Sequence, residues 1–186
     1  AQKQEMHGII KEYLITNPGV LEEALQALQN KLQADERNRQ TSAITGNREK
    51  LQATTVAPAL GNPNGDVTVV EFFDYRCGYC RSTLKTVLDL VKADPKVRLV
   101  YREFPILGPV SVTASKAALA SAAQGKYEAF HNALMGGTRN LNADEDVFAI
   151  ATSVGLDVER LKKHMESDAV KNEIASNFQL AESMGI

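Results

Sequence analysis

The amino-acid sequence predicts an α/β domain preceded by a helical amino-terminal arm. Apolar residues recur at steps of three and four between Met6 and Leu32, which is the period of an amphipathic helix. From Asp66 onward, two β-branched and aromatic runs flank a helical pattern, which is the order of a βαβ unit with parallel strands. After Ser111 the chain continues as alanine- and leucine-rich helices. We therefore expect one parallel pair of strands within a mostly helical domain.

Composition narrows the classes of protein to which the chain can belong. The 186 residues, 44% hydrophobic and 24% charged, are enough for one buried core and an appendage. The formal net charge of -2 provides no broad cationic field, so we expect no nucleic-acid partner. No apolar run approaches the roughly 18 residues of a membrane-spanning helix, so we expect a chain that does not span a membrane. Ala1 suits the position after a cleaved signal peptide, and we expect that peptide to have been removed.

The arm, residues 1–32, is predicted to form two helices that break near Asn17, because Asn17-Pro18 is a favourable start for a helix. Four leucines of the second helix step by four, three and four, the rhythm of a coiled-coil seam. They are Leu21, Leu25, Leu28 and Leu32. The seam predicts a homo-oligomer, a trimer or dimer, whereas the alternative is a helix folded back on its own domain.

Residues 33–65 are predicted to be a polar linker made of a solvated helix or hinge and a loop. Ile44 and Leu51 are the only large apolar residues between Gln33 and Gln52, and so few cannot build a core. Gly46-Asn47 is the expected point of bending. The α/β domain is then expected over residues 66–186. Within it we predict a central strand at Val67–Phe73, covered on both faces, and a second strand at Val97–Phe104.

Cys77 and Cys80 are the two cysteines of the chain, and they lie where the first strand is predicted to turn into a helix. Residues three apart share a helix face, close enough for a disulfide. Unpaired N–H groups and the helix dipole stabilise a thiolate at the first position. Cys77 is therefore the predicted nucleophile and Cys80 the resolving thiol of a thiol–disulfide exchange. An inert structural pair is the alternative.

Other residues near this pair are candidates for tuning it. Gly78 and Tyr79 lie between the cysteines and set the backbone around Cys77. Glu71 is a carboxylic acid in an otherwise apolar strand, where burial would raise its pKa and suit it to carrying the proton of the resolving thiol. The alternative is a strand glutamate that faces solvent. Arg76 and Arg81 flank the pair and are candidates for stabilising the thiolate.

The sequence offers no set of residues for a bound metal or cofactor, and we expect none. A single CxxC cannot supply the four ligands of a structural zinc site. His7, His131 and His164 lack ligand spacing and are interpreted as ordinary surface or helix-face residues. Two thiolates are soft ligands, so copper(I) binding by Cys77 and Cys80 is an alternative function.

Three blocks of the sequence resemble the DsbA-like family of thiol–disulfide oxidoreductases, in the family's order, over about Asp66 to Ile186. The resemblance implies a thioredoxin-like fold with a helical insertion at about 111–185. It also implies that Cys77 attacks, Cys80 resolves and Glu71 is the acidic residue beneath the pair. The blocks are VVEFFDYRCGYC at 69–80, REFPILG at 102–108 with Ser111, and QGKY at 124–127 with Phe130, His131 and Leu134.

Departures from the family pattern refine this expectation. Strong oxidants of the family carry Pro-His between the cysteines, whereas this chain carries Gly78-Tyr79. The helical arm is similar to that of the oligomeric suppressor-of-copper-sensitivity C (ScsC) group, which acts in disulfide isomerisation or reduction and is linked to copper tolerance. The resemblance implies a periplasmic isomerase or reductase that acts on misfolded or disulfide-containing proteins, with a membrane redox partner. A monomeric dithiol oxidase is the alternative.

The family also continues into a cis-proline loop and two further strands that contact substrate. No proline follows Pro109 in this chain. We therefore expect a truncated chain whose carboxy-terminal strands are absent and whose substrate groove is incomplete.

Overall fold

The computed structural model describes residues 2–137 and 140–186, and the chain divides after Gly46 into two compact units. The first unit contains helices α1 (Gln2–Thr16) and α2 (Pro18–Gly46). They break at Asn17, as predicted, because Pro18 has no N–H to continue the first helix and is tolerated at the first position of the next. The signal-cleavage expectation concerns Ala1, which lies outside the described residues.

The apolar seam of α2 is exposed within a single chain. Neither α1 nor α2 has a buried residue. The seam leucines Leu21, Leu25, Leu28 and Leu32 expose 46%, 60%, 51% and 57% of their surface. Exposed leucines at this spacing form an apolar stripe without a partner in the described residues.

The second unit, Asn47–Ile186, contains the predicted βαβ unit followed by the predicted series of helices. A 3₁₀ turn at Ala122–Gln124 separates the fifth and sixth helices. The elements are α3 (Arg48–Gln52), β1 (Leu60–Gly61), β2 (Val67–Phe73), α4 (Gly78–Ala93), β3 (Val97–Glu103), α5 (Pro109–Ser121), α6 (Tyr127–Gly136), α7 (Asp144–Ser153), α8 (Val158–Met165) and α9 (Asp168–Met184). None of the helices in the described part of the chain is long and apolar enough to cross a membrane.

The sheet differs from the expected pair of strands. β2 and β3 are parallel, in register from Val67 opposite Val97 to Phe73 opposite Glu103. The short strand β1 adds a third member, antiparallel to β3, and gives the order β1-β3-β2. In the described sheet β3 is therefore central and β2 lies at an edge, so the prediction of a central β2 was wrong. The expected coverage of both faces is partial, because the β2 residues between Val67 and Phe73 are half-buried. Val67 is 51% exposed, and Phe73 is the buried residue of β2.

The predicted linker at 33–65 agrees with the structure as far as Gly46, because residues 33–46 form the mostly exposed end of α2, and this helix ends at the predicted point of bending. The segment after Gly46 differs, since it packs into the second unit through Leu51, Ala57 and Leu60, which are 7%, 7% and 8% exposed. Gly65 lies so close to the backbone at Lys96 that a side chain would not fit. Isolated apolar residues in a polar stretch make this packing, and composition averaged over the stretch does not reveal it.

The core lies between one face of the sheet and the helices that follow it. Phe73, Leu99 and Tyr101 form the sheet side. On the helical side, Ala114, Ala117 and Ala118 of α5 are fully buried, and α5 contacts each of α6 to α9. Small side chains let helices approach closely, so α5 is the central helix of the unit.

Candidate active site

The two cysteines lie at the junction of β2 and α4, as the sequence predicted. Cys77 caps the amino terminus of α4 in an extended conformation, and its N–H donates to the carbonyl of Asp74 at 3.0 Å. The Cys77 Sγ accepts a hydrogen bond from the Cys80 N–H at 3.5 Å. Both cysteines are free thiols, and both are partly accessible to solvent. The arrangement places the first thiol on the unpaired N–H groups of a helix.

Hydrogen bonds from the first turn of α4 lower the pKa of the Cys77 thiol. The largest contribution comes from the Cys80 backbone, followed by the Cys80 thiol, with a further bond from the Tyr79 backbone. The charge of Asp74 acts in the opposite direction. Hydrogen bonds to a thiolate favour the charged form, so Cys77 is prepared as the nucleophile of the pair.

The second thiol is shifted the other way. Burial, together with the negative charges of Cys77 and Glu71, raises the pKa of Cys80 to about 11. A thiol of this kind stays protonated at neutral pH and must lose its proton before it can attack. The two thiols therefore differ in pKa, which is lowered for Cys77 and raised for Cys80.

Glu71 lies on β2, near enough to Cys80 for its charge to raise that thiol's pKa. Its own side chain is half-buried, and burial raises the pKa of the carboxyl group. The Thr83 hydroxyl lies 2.8 Å from the Cys80 carbonyl oxygen and 3.5 Å from Glu71 Oε1. The structure thus brings Glu71 and the resolving thiol together, while the proton-transfer role remains a prediction.

Asp74 is a buried carboxylate at the site that sequence analysis did not single out. Oδ1 accepts hydrogen bonds from the Arg76 N–H and the Ser111 hydroxyl, both at 2.8 Å. Oδ2 accepts from the N–H groups of Ile106 and Leu107 at 2.8 and 2.9 Å. One side chain thus ties the turn before Cys77 to the loop after β3 and to the start of α5. The Asp-x-Arg turn at the end of a strand was the available signal.

His131 is fully buried, so its interpretation as an ordinary surface or helix-face residue was wrong. Its Nδ1 lies 3.0 Å from the Tyr75 hydroxyl, and its ring stacks on Tyr101 at 4.1 Å. Tyr75 and Tyr127 each donate a hydrogen bond to Glu103 Oε1, at 2.9 and 3.0 Å. This polar cluster is assembled from separate elements, which no spacing in the sequence indicates.

Burial keeps Glu103 and His131 of the polar cluster neutral near pH 7. It raises the pKa of Glu103 to about 8, although hydrogen bonds from two tyrosines act against the shift. It lowers the pKa of His131 to about 3. An uncharged acid and an uncharged imidazole are the states that a dry interior favours.

The Glu103 shift makes stability depend on pH. Because folded Glu103 binds its proton more tightly than the unfolded chain does, its stabilising contribution is complete below the unfolded pKa of 4.5 and is lost as the pH rises through about 8. Between pH 6.5 and 8 we expect the free energy of unfolding to fall by about 2 kcal/mol more in the parent than in Glu103→Gln. Urea denaturation at each pH measures the difference, and the exposed Glu128→Gln is the matched control. Parallel profiles for the parent and Glu103→Gln would contradict this assignment.

The βαβ unit, the helices after it and an asymmetric dithiol at the start of α4 are the features of thiol–disulfide oxidoreductases with a thioredoxin-like fold. Residues 68–186 match the DSBA-like thioredoxin domain, and residues 2–35 match the copper resistance protein ScsC N-terminal domain. The chain belongs to the DSBA-like thioredoxin domain family, with an ScsC-type amino-terminal segment.

Solved structures of similar proteins support this assignment. A thioredoxin-like oxidoreductase from Silicibacter pomeroyi DSS-3 is 55% identical, with a TM-score of 0.72 over 75% of this chain and 80% of that one. BcfH from Salmonella enterica Typhimurium is 27% identical, with a TM-score of 0.81 over 99% and 79% of the two chains. A periplasmic thioredoxin-like protein from Salmonella enterica serovar Typhimurium is 25% identical, with a TM-score of 0.62 over 73% and 76%.

Among curated relatives, the chain matches part of a larger protein. It is 30% identical over 124 residues to Na(+)/H(+) antiporter NhaA 3 of Salinispora tropica, covering 66% of this chain and 19% of that protein. The chain therefore spans about a fifth of that relative. A probable disulfide bond formation protein D from Bacillus cereus is 26% identical over 160 residues, covering 78% and 74%.

Proposed function

We propose that this chain catalyses thiol–disulfide exchange on misfolded or disulfide-containing proteins, as a disulfide isomerase or reductase. The observation that carries the proposal is the opposite tuning of the two thiols, with the pKa of Cys77 lowered and that of Cys80 raised. An attacking thiol must be ionised at working pH, and a resolving thiol should remain protonated until the mixed disulfide has formed. The start of α4 shifts the two pKa values in the directions that these roles require.

The exchange proceeds in two steps. The Cys77 thiolate attacks one sulfur of the substrate disulfide, the substrate S–S bond breaks, and the other substrate sulfur leaves with the electron pair. In reduction, Cys80 then loses its proton and attacks the Cys77 sulfur, which releases the second substrate thiolate and leaves a Cys77–Cys80 disulfide. In isomerisation, a substrate thiolate attacks the mixed disulfide instead and restores Cys77 without net oxidation.

We assign to Glu71 the role of accepting the proton that Cys80 loses during reduction. Its charge already acts on that thiol, and burial moves the carboxyl pKa toward neutrality, where a proton carrier works best. Gly78 and Tyr79 tune the pair from between the cysteines, Tyr79 through its backbone hydrogen bond to Cys77. The Tyr79 side chain is 87% exposed, and an added Cβ at Gly78 would meet no atom within 4 Å, so neither residue blocks access to Cys77.

We expect Glu71→Gln to slow the second step at least tenfold and to leave the first step nearly unchanged, because positioned proton transfer contributes roughly 10²-fold or more. Stopped-flow measurement of peptide release from a preformed Cys77 mixed disulfide reports the second step. Formation of that mixed disulfide in the same variant is the internal control. An equal slowing of both steps would indicate a general loss of structure instead.

The exposed seam of α2 supports assembly of a homo-oligomer, a dimer or trimer, through the arm. The seam lies within residues 2–35, the segment that matches the ScsC amino-terminal domain. Burying four half-exposed leucines against a second copy removes apolar surface from water at roughly 25 cal/mol per Å². An oligomer would present several copies of Cys77 to one misfolded substrate, which favours isomerisation.

Polar replacements in the seam test the assembly. We expect Leu25→Gln/Leu28→Gln to give a monomer by light scattering at micromolar concentration, since two buried leucines supply about 3 kcal/mol or more per chain. Ile44→Gln changes an equally exposed apolar residue of α2 outside residues 2–35 and is expected to keep the parent mass. An unchanged mass in the double variant would exclude this seam as the interface.

The reaction direction is tested by the reduction potential of Cys77-Cys80 and by recovery of a scrambled ribonuclease. The proposal predicts a potential near that of disulfide isomerases, about -180 mV, and catalysed recovery of the scrambled substrate. The alternative, a monomeric dithiol oxidase, predicts a potential near -120 mV, as in strong oxidants, and activity that survives loss of the seam.

A second candidate function is copper(I) binding by Cys77 and Cys80. Two neighbouring free thiols and the copper-resistance segment at residues 2–35 favour it. No group of three or more potential metal ligands occurs within residues 2–137 and 140–186, so the two thiols would bind the ion alone. Titration of copper(I) against Cys77→Ser tests this function, and unchanged binding would exclude the site.

A periplasmic location, after removal of a signal peptide, suits the proposed chemistry. An oxidising compartment is where substrate disulfides persist. Because reduction leaves Cys77 and Cys80 oxidised, each turnover requires an electron donor, and we propose a membrane redox partner for that step. Capture of this partner as a mixed disulfide on Cys80→Ser in membrane extracts tests the proposal, and capture by Cys77→Ser to the same extent would contradict it.

A further inference from the structure

A small polar cleft is lined in part by the two residues that flank the dithiol in the sequence. It has a volume of about 180 Å³ and is lined by Arg76, Arg81, Asn140, Leu141 and Asn142. Arg76 directly precedes Cys77, and Arg81 directly follows Cys80. Two cationic side chains therefore reach into one cleft from either side of the reacting pair.

Each of the two guanidinium groups donates a hydrogen bond to a backbone carbonyl oxygen. Arg76 Nη1 donates to the Leu107 carbonyl oxygen at 2.6 Å, and Arg81 Nη2 donates to the Gly137 carbonyl oxygen. Carbonyl oxygens orient a guanidinium group without cancelling its charge. A guanidinium carries five N–H donors, so a bond to one carbonyl leaves Arg76 able to pair with an anion.

Asp74 and Asp146 accept hydrogen bonds from other groups, and Asp144 lies at another cleft. Asp74 is buried under four hydrogen-bond donors. Asp146 accepts from the backbone N–H groups of Asn142 and Ala143, and Asp144 lines a different cleft, with Lys116 and Lys162. Among the described residues, 2–137 and 140–186, none that lines the cleft is acidic.

The arginines of the cleft also have no necessary role in activating the nucleophile. The lowered pKa of Cys77 has its main causes in the first turn of α4. We therefore consider this cleft as a site that acts on the substrate rather than on the Cys77 thiol. Asn140 and Asn142 add polar groups at its rim, and the buried Leu141 closes one wall.

We propose that this cleft binds a carboxylate side chain of the substrate, so that the chain prefers cysteines with an aspartate or glutamate within a few residues. The inference rests on the proposed function and names a substrate class for it. Paired guanidinium groups suit a planar carboxylate, and the pairing orients the substrate sulfur toward Cys77. Because the cleft is open to solvent, we expect a modest preference that weakens with salt.

The test uses two synthetic peptides that differ only in Asp or Asn two residues before a single cysteine, each activated as a mixed disulfide with neutral pyridine-2-thiol. In the Cys80→Ser background, the Cys77 thiolate bonds to the peptide sulfur, the bond to the pyridine sulfur breaks, and 2-thiopyridone leaves with the electron pair and gains a proton. Absorbance follows its release, and mass spectrometry confirms the peptide adduct. Comparing the two peptides within each variant cancels any change in the nucleophile itself.

We expect the Asp peptide to react about fivefold faster than the Asn peptide at low salt, and the ratio to fall to about one in Arg81→Gln and in Arg76→Gln. Lys92→Gln removes the same charge from the far end of α4 and should keep the fivefold ratio. Equal rates for the two peptides, or a ratio that persists in both arginine variants, would overturn the inference. If Arg81→Gln does not fold, Arg76→Gln decides. Failure of both peptides to form an adduct would instead refute the proposed function.

Discussion

Replacing Cys77 by serine should reduce disulfide exchange at least about 10³-fold, because a serine hydroxyl is not ionised at neutral pH and the thiolate is the reacting species. The lowered pKa of Cys77 depends on hydrogen bonds from α4, and a serine at the cap would keep the helix start while losing the chemistry. Recovery of scrambled ribonuclease and reduction of a peptide disulfide both measure the loss.

Cys80→Ser provides the contrasting result. It leaves the nucleophile in place and removes the resolving thiol, so we expect a stable mixed disulfide on Cys77 that appears as a mass increase. Thr86→Ala, an exposed change on the same helix, is the matched control and should retain the parent rate. Exchange that persists in Cys77→Ser, or a trapped substrate on Cys80 in that variant, would reverse the assignment of the two thiols.

Local features of this chain could be predicted from the sequence. The break at Asn17 depends on one proline, and the βαβ unit depends on β-branched runs that are contiguous. The position of Cys77 at the start of α4 follows from the same pattern. The helices and strands of these features are each recognised from a local window of about 11 to 18 residues, where propensity and periodicity are strongest.

Features that depend on distant residues could not be predicted. β1 is two residues long and exists through its pairing with β3, and Leu51 and Leu60 are buried by elements far along the chain. Glu103 was not singled out in the sequence and His131 was interpreted as a surface or helix-face residue, yet three-dimensional packing places both in a dry interior. A buried polar group is recognised by its partners, and these partners come from separate elements.

The same limit applies to Asp74, whose four donors come from the active-site turn, the loop after β3 and the start of α5. The negative charge of Asp74 affects both the stability of the fold and the pKa of Cys77. It satisfies donors that would otherwise be buried without partners, which stabilises the fold. It also raises the pKa of the Cys77 thiol and so opposes the hydrogen bonds of α4, which lower that pKa. Asp74 thus stabilises the fold and, at the same time, disfavours formation of the Cys77 thiolate.

Asp74→Asn should separate these two effects. An amide presents one oxygen and one NH₂ to four donors, so we expect the free energy of unfolding to fall by about 3 kcal/mol, measured by urea denaturation. With the charge removed, we expect the pKa of Cys77 to fall further, measured by thiolate absorbance at about 240 nm. Ser111→Ala removes one of the four donors and keeps the charge, so it should cost about 1 kcal/mol and leave the Cys77 pKa unchanged.

Two explanations of a loss of stability in Asp74→Asn predict changes of opposite sign in the Cys77 pKa. A general loosening of the site would weaken the hydrogen bonds of α4 to Cys77 and raise the thiol pKa as stability fell. If the Asp74 carboxylate disfavours the thiolate directly, its removal lowers the Cys77 pKa while stability falls, because this charge effect is separate from the hydrogen bonds of α4. A higher Cys77 pKa in Asp74→Asn would therefore contradict the electrostatic role assigned to Asp74 and leave only its structural one.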